Sequence, residues 1–344
     1  MNDMRKMLEE SVNRLFSEQL DWDKLTAIEE QGWPAELWQQ VEEQGTALVM
    51  ASEAAGGLDG GWADAYPVLR AVGRHAVPLP VAESMVAHWL AKDAGIDLPA
   101  GVLGIVTEGD QVLEGDSLRL TNARVPWGRQ VDHLVSVISG QVVVASASAL
   151  DVTPEDNIGL DPRDHLSGKA PVIAAGDTEL PEDAMRWLGA LMRSAQIAGG
   201  AAACVDLATQ YASEREQFGR SLSKFQIIQH YLADLAGNVA SIDAMAMAAC
   251  EALDQKGLSS SDVNARFEIA AAKCRASDGV ETITKLAHQI HGAIGFTYEY
   301  GLHFVTRRMW SWRVEFGGVS AWGEELGRVA VNVGGDGIWP VITG

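Results

Sequence analysis

Hydrophobic residues recur at helical spacing through the first third of the chain. Met7, Leu8, Val12, Leu15 and Phe16 form one stripe, and a second follows within residues 25–41. Apolar positions three and four residues apart share one face of an α-helix. This pattern predicts an N-terminal helical domain over residues 1–98.

The period changes after Gly101. Short β-type runs at 102–106, 118–120, 133–137 and 141–144 are separated by Gly, Asp and Ser turns, which indicates strands. They predict a middle β-domain over residues 99–181. The helical period then returns in long alanine-rich segments, which predict a C-terminal helical bundle over residues 182–344. These segments are 184–214, 224–253 and 260–290. The predicted fold class is mainly α with a β-domain.

Charge and hydropathy exclude several classes of partner. The chain carries 47 Asp and Glu against 26 Lys and Arg, a formal charge of −21 that repels a phosphate backbone, so no nucleic acid is expected. It has no uninterrupted apolar stretch of roughly 18 residues, so no membrane association is expected. Its first residues are charged and lack an apolar signal segment, which favours a cytoplasmic location. Its three cysteines are far apart and form no CxxC pair, which indicates neither a disulfide framework nor a zinc site.

One segment with chemical potential follows the first long helix of the predicted bundle. It has the pattern ERxxFG over residues 214–219, and Gln226 lies seven residues further on. The guanidinium of Arg215 is a planar, permanently charged fork that suits a diphosphate. Phe218 can pack against a cofactor, and Gln226 can form a hydrogen bond with it.

A second segment, QIHGAIG, spans residues 289–295. Glycine has no side chain, so Gly292 and Gly295 permit close approach of the backbone to a ligand, and Ala293 adds only one methyl group. Each segment alone is equally consistent with an ordinary surface ion pair or a glycine-terminated helix. Both together, in a bundle after a β-domain, favour a cofactor site.

Together the two segments closely resemble the FAD-binding motifs of acyl-CoA dehydrogenases, with Ala293 replacing the second glycine of QxxGGxGF. The resemblance implies an N-terminal helical domain, a middle small β-barrel or sheet and a C-terminal four-helix bundle. It also implies an oligomer, because these motifs grip FAD that is bound mainly by the neighbouring subunit. The residues implicated are Arg215, Gln217, Phe218, Gln226, Gln289, Gly292 and Ala293.

The catalytic base of the family is missing at both of its usual positions. In the commonest family pattern, a glutamate 27 positions after the first Gln of QxxGGxG removes the α-proton, and that position is Phe316. Other members place the base 26 positions before the arginine of ERxxFG, which is Gly189 here. Glu315 is the neighbouring candidate, but adjacent side chains point in different directions. Glu315 could act only if the turn were reshaped.

The β-domain also departs from the family. Thr107-Glu108-Gly109-Asp110 stands in place of the longer TEPxxGSD-like segment that contacts the flavin. Near the second flavin-contacting segment the chain has Arg124-Val125-Pro126-Trp127-Gly128, and proline offers no backbone donor. The chain's own half-site for flavin and substrate is therefore predicted to be eroded.

Three functional hypotheses follow. The first is a non-catalytic subunit that completes the FAD site of a homologous acyl-CoA dehydrogenase subunit, with an acyl-CoA as substrate and electron-transfer flavoprotein as acceptor. The resemblance associates such heteromers with the degradation of steroids or other bulky acyl groups. The second is a homo-oligomeric dehydrogenase that uses Glu315 or an unidentified base. The third is an interaction module that has lost FAD, which the retained Arg215 and Gln289 argue against.

Three other patterns give weaker hypotheses. His288, His291 and His303 have no carboxylate at a matching spacing, so no metal site is predicted. The mixture of cations and aromatic residues at 307–313 favours subunit packing. The glycine-rich run at 334–337 lies too near the end to open a βαβ unit that binds a nicotinamide cofactor.

Overall fold

The computed structural model describes residues 3–259 and 264–343. The N-terminal part contains five α-helices, with the bounds α1 Asp3–Gln19, α2 Trp22–Gln31, α3 Ala35–Glu43, α4 Trp62–Arg74 and α5 Val81–Asp93. The connection from α3 to α4 is long and contains two 3-10 helices, Thr46–Leu48 and Glu53–Ala55. Of the first predicted stripe, Val12, Leu15 and Phe16 are buried, whereas Met7 stays 63% exposed. The helical prediction for this region is confirmed, and Met7 lies at the exposed edge of the stripe.

The middle region is a curled, half-barrel-like sheet. Its strands are β1 Leu103–Ile105, β2 Glu108–Glu114, β3 Ser117–Pro126, β4 His133–Ile138, β5 Gln141–Ser146, β6 Asp151–Thr153 and β7 Arg163–Asp177. The strand order is β1-β4-β5-β7-β3-β2, with β6 also paired to β7. The β1–β4 pair is parallel, and the other pairs are antiparallel.

The central strand of this sheet is β7. Its first part pairs with β3, through Pro126↔Arg163 to Ser117↔Pro171, and its last part pairs with β5, through Val144↔Ala174 to Gln141↔Asp177. One 15-residue strand thus joins both halves of the curled sheet. Our β-type runs did not include it.

The C-terminal region is a bundle of long helices. Its elements are α6 Ala184–Glu214, the short strands β8 Glu216–Gln217 and β9 Arg220–Ser221, α7 Gln226–Lys256, α8 Arg266–His291, α9 Leu302–Trp312 and α10 Val319–Thr343. Helices α6, α7, α8 and α10 form the four-helix bundle, and α9 packs on α6 and α8. The start that we predicted at Ser260 for the third long segment lies outside the described residues.

Close backbone contact joins the N-terminal helices to the bundle. A Cβ atom added at Gly199 of α6 would lie 1.8 Å from the carbonyl oxygen of Arg70, and one at Gly73 of α4 would lie 1.8 Å from that of Gln196. Only glycine allows helices to approach this closely. The mainly α fold with a β-domain is therefore confirmed. Among the described residues, no helix has the length and apolar character required to cross a membrane.

Candidate functional site

A buried ion-pair chain surrounds Glu315, in the turn after α9. One carboxylate oxygen, Oε1, accepts hydrogen bonds from Nε of Arg163 at 2.9 Å and from the amide of Asn157 at 3.3 Å. The other, Oε2, accepts one from Nε of Arg193 at 2.7 Å. Arg193 also donates to Glu83 of α5 at 2.8 Å. Glu315 thus binds side chains of the β-domain and of the helical bundle, and Arg193 extends these contacts to the N-terminal helices through Glu83.

The charges of these ion pairs keep Glu315 ionised. Its side chain is 14% exposed, and that of Arg193 is 1% exposed. Burial disfavours the charged carboxylate, but the positive charges and hydrogen bonds of Arg163 and Arg193 outweigh that penalty and hold the pKa of Glu315 well below its usual range. A carboxylate with such a depressed pKa is a weak proton acceptor.

Phe316 and Gly189, the two positions where the family places its base, are in direct contact. Phe316 has a φ of 57° and is 6% exposed. A Cβ atom added at Gly189 of α6 would lie only 2.1 Å from Cε1 of the Phe316 ring. The missing side chain at 189 therefore makes the space that the ring at 316 fills.

We expect Gly189→Ala to lower the free energy of unfolding by about 2 kcal/mol, because overpacking a filled core commonly costs roughly 1–3 kcal/mol. Gly237 of α7 provides a matched control, since a Cβ added there meets no atom within 4 Å. Gly237→Ala is expected to stabilise the helix by up to about 1 kcal/mol. Urea unfolding of both single variants and of the double variant Gly189→Ala/Phe316→Leu gives their free energies of unfolding. Equal stability of the two single variants would argue against it.

Little space remains beside Phe316. The cavity there has a volume of about 10 Å³ and is lined by Thr107, Glu108, Arg124, Pro126, Arg163, Glu315 and Phe316. That is about the minimum for a single water molecule. Thr107, Glu108 and Pro126 come from the two β-domain segments that depart from the family. The two β-domain segments that depart from the family thus lie beside the usual base position, which the Phe316 ring fills.

Lys273 of α8 holds the turn that carries Glu315. Its ammonium group donates to the carbonyl oxygens of Trp312 at 2.7 Å and Arg313 at 3.1 Å, and to the hydroxyl of Ser277 at 3.1 Å. These carbonyls end α9, where a cation is electrostatically favourable. Burial nevertheless lowers the pKa of Lys273 to about 7, although the nearby charge of Glu315 opposes this shift.

Lys273 contributes to the pH dependence of the free energy of unfolding. Its pKa falls from an ordinary value of 10.5 to about 7 in the folded chain, so the unfolded chain binds more protons between these values. Stability therefore rises with pH in this window, by at most about 1.4 kcal/mol per pH unit. We expect unfolding curves from pH 7.5 to 9.5 to show this rise for the native chain relative to Lys273→Met. Parallel pH profiles would contradict the assignment.

The ERxxFG segment forms an exposed hairpin. Strands β8 and β9 are joined by Phe218 and Gly219, with φ values of 54° and 77°, as in the tight two-residue turns of β-hairpins. Phe218 at the tip is 93% exposed. Arg215, Gln217 and Gln226 are also exposed. The side chains of Arg215 and Gln226 have no hydrogen-bond or ion-pair partner among the described residues.

The QIHGAIG segment lies beside this hairpin. Helix α8 ends at His291, and Gly292 follows with a φ of 64°. Gln289, Gly292 and Ala293 are exposed. The ring of His291 stacks on Tyr211, at the end of α6, with 4.8 Å between ring centroids. The end of α6 that leads into the hairpin therefore packs against the end of α8 that carries the second motif.

The structure separates these motifs from Glu315, Phe316 and Gly189. Gly189 and Arg215 are 26 positions apart along α6 and its C-terminal cap. At the rise of an α-helix this is about 39 Å. The candidate site residues thus form two groups near opposite ends of one long helix.

His288, His291 and His303 each have a ring nitrogen close to a hydroxyl or a backbone carbonyl of the protein. Nε2 of His288 lies 3.0 Å from the Thr306 hydroxyl, and one ring nitrogen each of His291 and His303 lies near a backbone carbonyl. Within residues 3–259 and 264–343, no group of three or more His, Cys, Asp or Glu residues could hold a metal ion. In the basic segment at 307–313, Arg307 binds Glu29 and Arg308 binds Asp161, whereas Arg313 lies over the ring of Trp310.

Our sequence reasoning missed Arg163, Arg193, Glu83 and Lys273. A usable signal was present for Arg193, which lies within the apolar run Leu191-Met192-Arg193-Ser194-Ala195. A charged residue in such a run needs a buried partner. The identity of that partner has no comparable signal in the sequence.

Comparison with known protein families decides the classification. The family model described as acyl-CoA dehydrogenase, N-terminal domain, matches residues 2–95, and the model described as acyl-CoA dehydrogenase, C-terminal domain, matches residues 187–319. The chain belongs to the acyl-CoA dehydrogenase family.

Among curated acyl-CoA dehydrogenases, the chain is similar to two proteins named acyl-CoA dehydrogenase IpdE2. It is 28% identical to that of Mycolicibacterium smegmatis over 317 residues, which cover 90% of this chain and 93% of the relative. It is 29% identical to that of Mycobacterium tuberculosis over 310 residues, which cover 88% and 90%. The similarity extends over nearly the whole length of both.

Solved structures show the same acyl-CoA dehydrogenase fold. A variant of the Tcur3481-Tcur3483 steroid ACAD superposes with a TM-score of 0.82 at 22% identity and covers 96% of this chain and 98% of its own. The ChsE4-ChsE5 complex from Mycobacterium tuberculosis superposes with a TM-score of 0.81 at 20% identity, with coverages of 95% and 97%.

Proposed function

We propose that this chain is a non-catalytic subunit of a heteromeric acyl-CoA dehydrogenase. It contributes FAD-binding residues across a subunit interface, and a homologous partner supplies the catalytic base. The observation that carries the proposal is the contact between Phe316 and Gly189. Both of the family's usual base positions lie at one point of the fold, and neither carries a carboxylate.

The chain's own half-site does not fit a flavin and an acyl chain. The Phe316 ring and the ion pairs of Glu315 leave a cavity of about 10 Å³. Pro126 offers no backbone donor to a flavin. We infer that no dehydrogenation takes place at this position.

The exposed hairpin does fit a role in holding FAD. Arg215 presents a guanidinium without an internal partner among the described residues, and Gln226 and Gln289 present exposed amides. Guanidinium and amide groups bind phosphate oxygens and polar ring atoms. The distance of about 39 Å along α6 from Gly189 indicates that these groups serve a neighbour's site. In our proposal Arg215, Gln217, Phe218, Gln226, Gln289, Gly292 and Ala293 form this contribution.

FAD, when bound, accepts a hydride from the β-carbon of an acyl thioester. The residues of this chain would bind and orient the cofactor, while the partner removes the α-proton. Electron-transfer flavoprotein is the proposed acceptor. The structural neighbour named as a steroid ACAD supports a steroid-derived or similarly bulky acyl-CoA as the substrate class.

A homo-oligomeric dehydrogenase with Glu315 as base is the alternative. Glu315 is adjacent to the usual base position, which favours this reading. Both of its oxygens, however, already accept hydrogen bonds from buried arginines. Proton abstraction would first require the loss of these ion pairs, so the geometry favours a structural role for Glu315.

Expression of the chain alone and together with a homologue from a neighbouring gene tests the proposal. We expect the chain alone to purify without flavin absorbance at about 450 nm and the co-expressed complex to contain FAD. A third possibility, an interaction module that has lost FAD, predicts that the complex holds no more flavin than the homologue alone. A yellow, active homo-oligomer of this chain would refute the proposed role.

A further inference from the structure

A cavity lies in the N-terminal helical region, outside the two groups of site residues. It has a volume of about 520 Å³ and is bounded by α3, the turns between α3 and α4, α5 and the segment that leads to β1. Ligand sites in proteins commonly measure roughly 300–1,000 Å³. The cavity is therefore of the size that holds a small molecule.

The cavity is distinct from the filled half-site. None of its lining residues lines the space beside Phe316. Helix α5 separates the two places, because Glu83 binds Arg193 of the ion-pair chain while Ser84, His88 and Ala91 line the cavity. Residues 84 and 88 are one helical turn apart and share a face. One helix thus contributes a different face to each place.

Most of the cavity wall is apolar. Trp38, Val41, Leu48, Ile96 and Leu98 line it. The glycine-rich turn at 56–61 supports this wall, since a Cβ added at Gly57 would lie 2.3 Å from the carbonyl oxygen of Ala51 and 2.5 Å from that of Leu48. Close packing of this turn keeps the wall in place. Such a surface favours a hydrocarbon ligand.

Two polar groups on α5 can orient a ligand. His88 has no hydrogen-bond partner among residues 3–259 and 264–343, and burial lowers its pKa to about 4. Its ring is therefore neutral at physiological pH and offers one N–H donor and one acceptor nitrogen. The Ser84 hydroxyl donates to the carbonyl oxygen of Leu103 at 3.3 Å and retains acceptor capacity. A hydroxyl or carbonyl group on a ligand matches this pair.

The charges around the cavity disfavour anions. Lys92 lies in the lining, but its ammonium group binds the carboxylate of Asp59 at 3.2 Å and the backbone carbonyls of Asp59 and Gly60. Glu42 and Asp97 add two carboxylates to the lining. A free carboxylate or phosphate would meet net negative charge, and among the described lining residues the ammonium group of Lys92 is already paired.

We infer that this cavity is a binding site for an uncharged, largely hydrocarbon small molecule with one hydroxyl or carbonyl group, which pairs with His88. The inference does not depend on the proposed role in FAD binding. A chain that binds FAD by itself would leave it unchanged.

Equilibrium dialysis of the full chain with 2-naphthol, naphthalene and 2-naphthoate tests the inference. We expect saturable binding of one 2-naphthol per chain and weaker binding of 2-naphthoate. His88→Leu should weaken 2-naphthol binding about 2- to 12-fold, the effect of one hydrogen bond. It should change naphthalene binding less than about twofold.

Steric variants locate the site. Ala54 is exposed in the cavity lining, so Ala54→Trp should block the entrance without disturbing the core and should abolish saturable 2-naphthol binding. Ala35→Trp in a separate groove of about 470 Å³ is the matched control and should bind as the native chain does. Absence of saturable binding, equal binding by Ala54→Trp, or tighter binding of 2-naphthoate would overturn the inference.

Discussion

Arg215→Ala is expected to weaken FAD binding by the heteromeric complex roughly 10- to 150-fold, the effect of losing one charge-assisted contact of about 1.5–3 kcal/mol. The guanidinium is exposed beside the hairpin and has no internal partner among the described residues, so its removal should leave the fold of this chain intact. Titration of deflavinated complex with FAD, followed by the quenching of flavin fluorescence, measures the change.

Arg14→Ala is the matched control for this prediction. Arg14 is an exposed arginine on α1, so its removal alters the net charge equally without touching either motif. FAD affinity within about twofold of the native complex is expected. An Arg215→Ala complex with native FAD affinity would contradict the assignment of Arg215, and an equal loss in both variants would indicate a general charge effect.

Arg193→Met is expected to lower the free energy of unfolding by about 3–5 kcal/mol, since removing one partner of a buried ion pair leaves the others uncompensated. Glu83 would lose the guanidinium that binds it, and Glu315 would keep only that of Arg163. Their side chains are 2% and 14% exposed, so water can replace that contact only in part. Urea unfolding near pH 7 gives the change directly.

An exposed ion pair provides the control for Arg193. Arg328 of α10 binds Glu324 at 2.9 Å, and both side chains are more than half exposed. Arg328→Met is therefore expected to change the free energy of unfolding by at most about 1 kcal/mol. A similarly small loss for Arg193→Met would show that the ion-pair chain does not hold the three regions together.

Periodicity in the sequence identified most of the fold. Helix α6 runs over the predicted residues, Ala184–Glu214, because a long alanine-rich segment is strongly helical. Strand β7 escaped detection although it is central to the sheet. Its sequence, RDHLSGKAPVIAAGD, contains two glycines and a proline and lacks the regular alternation of an ordinary strand. Pairing with β3 and β5 determines its conformation.

The sequence likewise identified one part of the candidate site and not the other. The hairpin motif was identifiable because its residues are contiguous, and the structure places Phe218 at its tip. The ion-pair chain could not be identified from the sequence, because Arg163, Arg193 and Glu83 lie between 122 and 232 positions from Glu315. Only the tertiary fold brings such residues together. Counting from the two motifs did identify Gly189 and Phe316 separately, and the structure shows that they touch.

The most direct test of the central claim is acyl-CoA oxidation by the chain alone and by its complex, each supplied with excess FAD and an artificial electron acceptor. The steroid-type acyl-CoA thioester is the proposed substrate. We predict no turnover above background for the chain alone, turnover by the complex, and a Glu315→Gln complex that retains activity within about threefold provided that it still assembles. Turnover by the chain alone that is lost in Glu315→Gln would contradict the account.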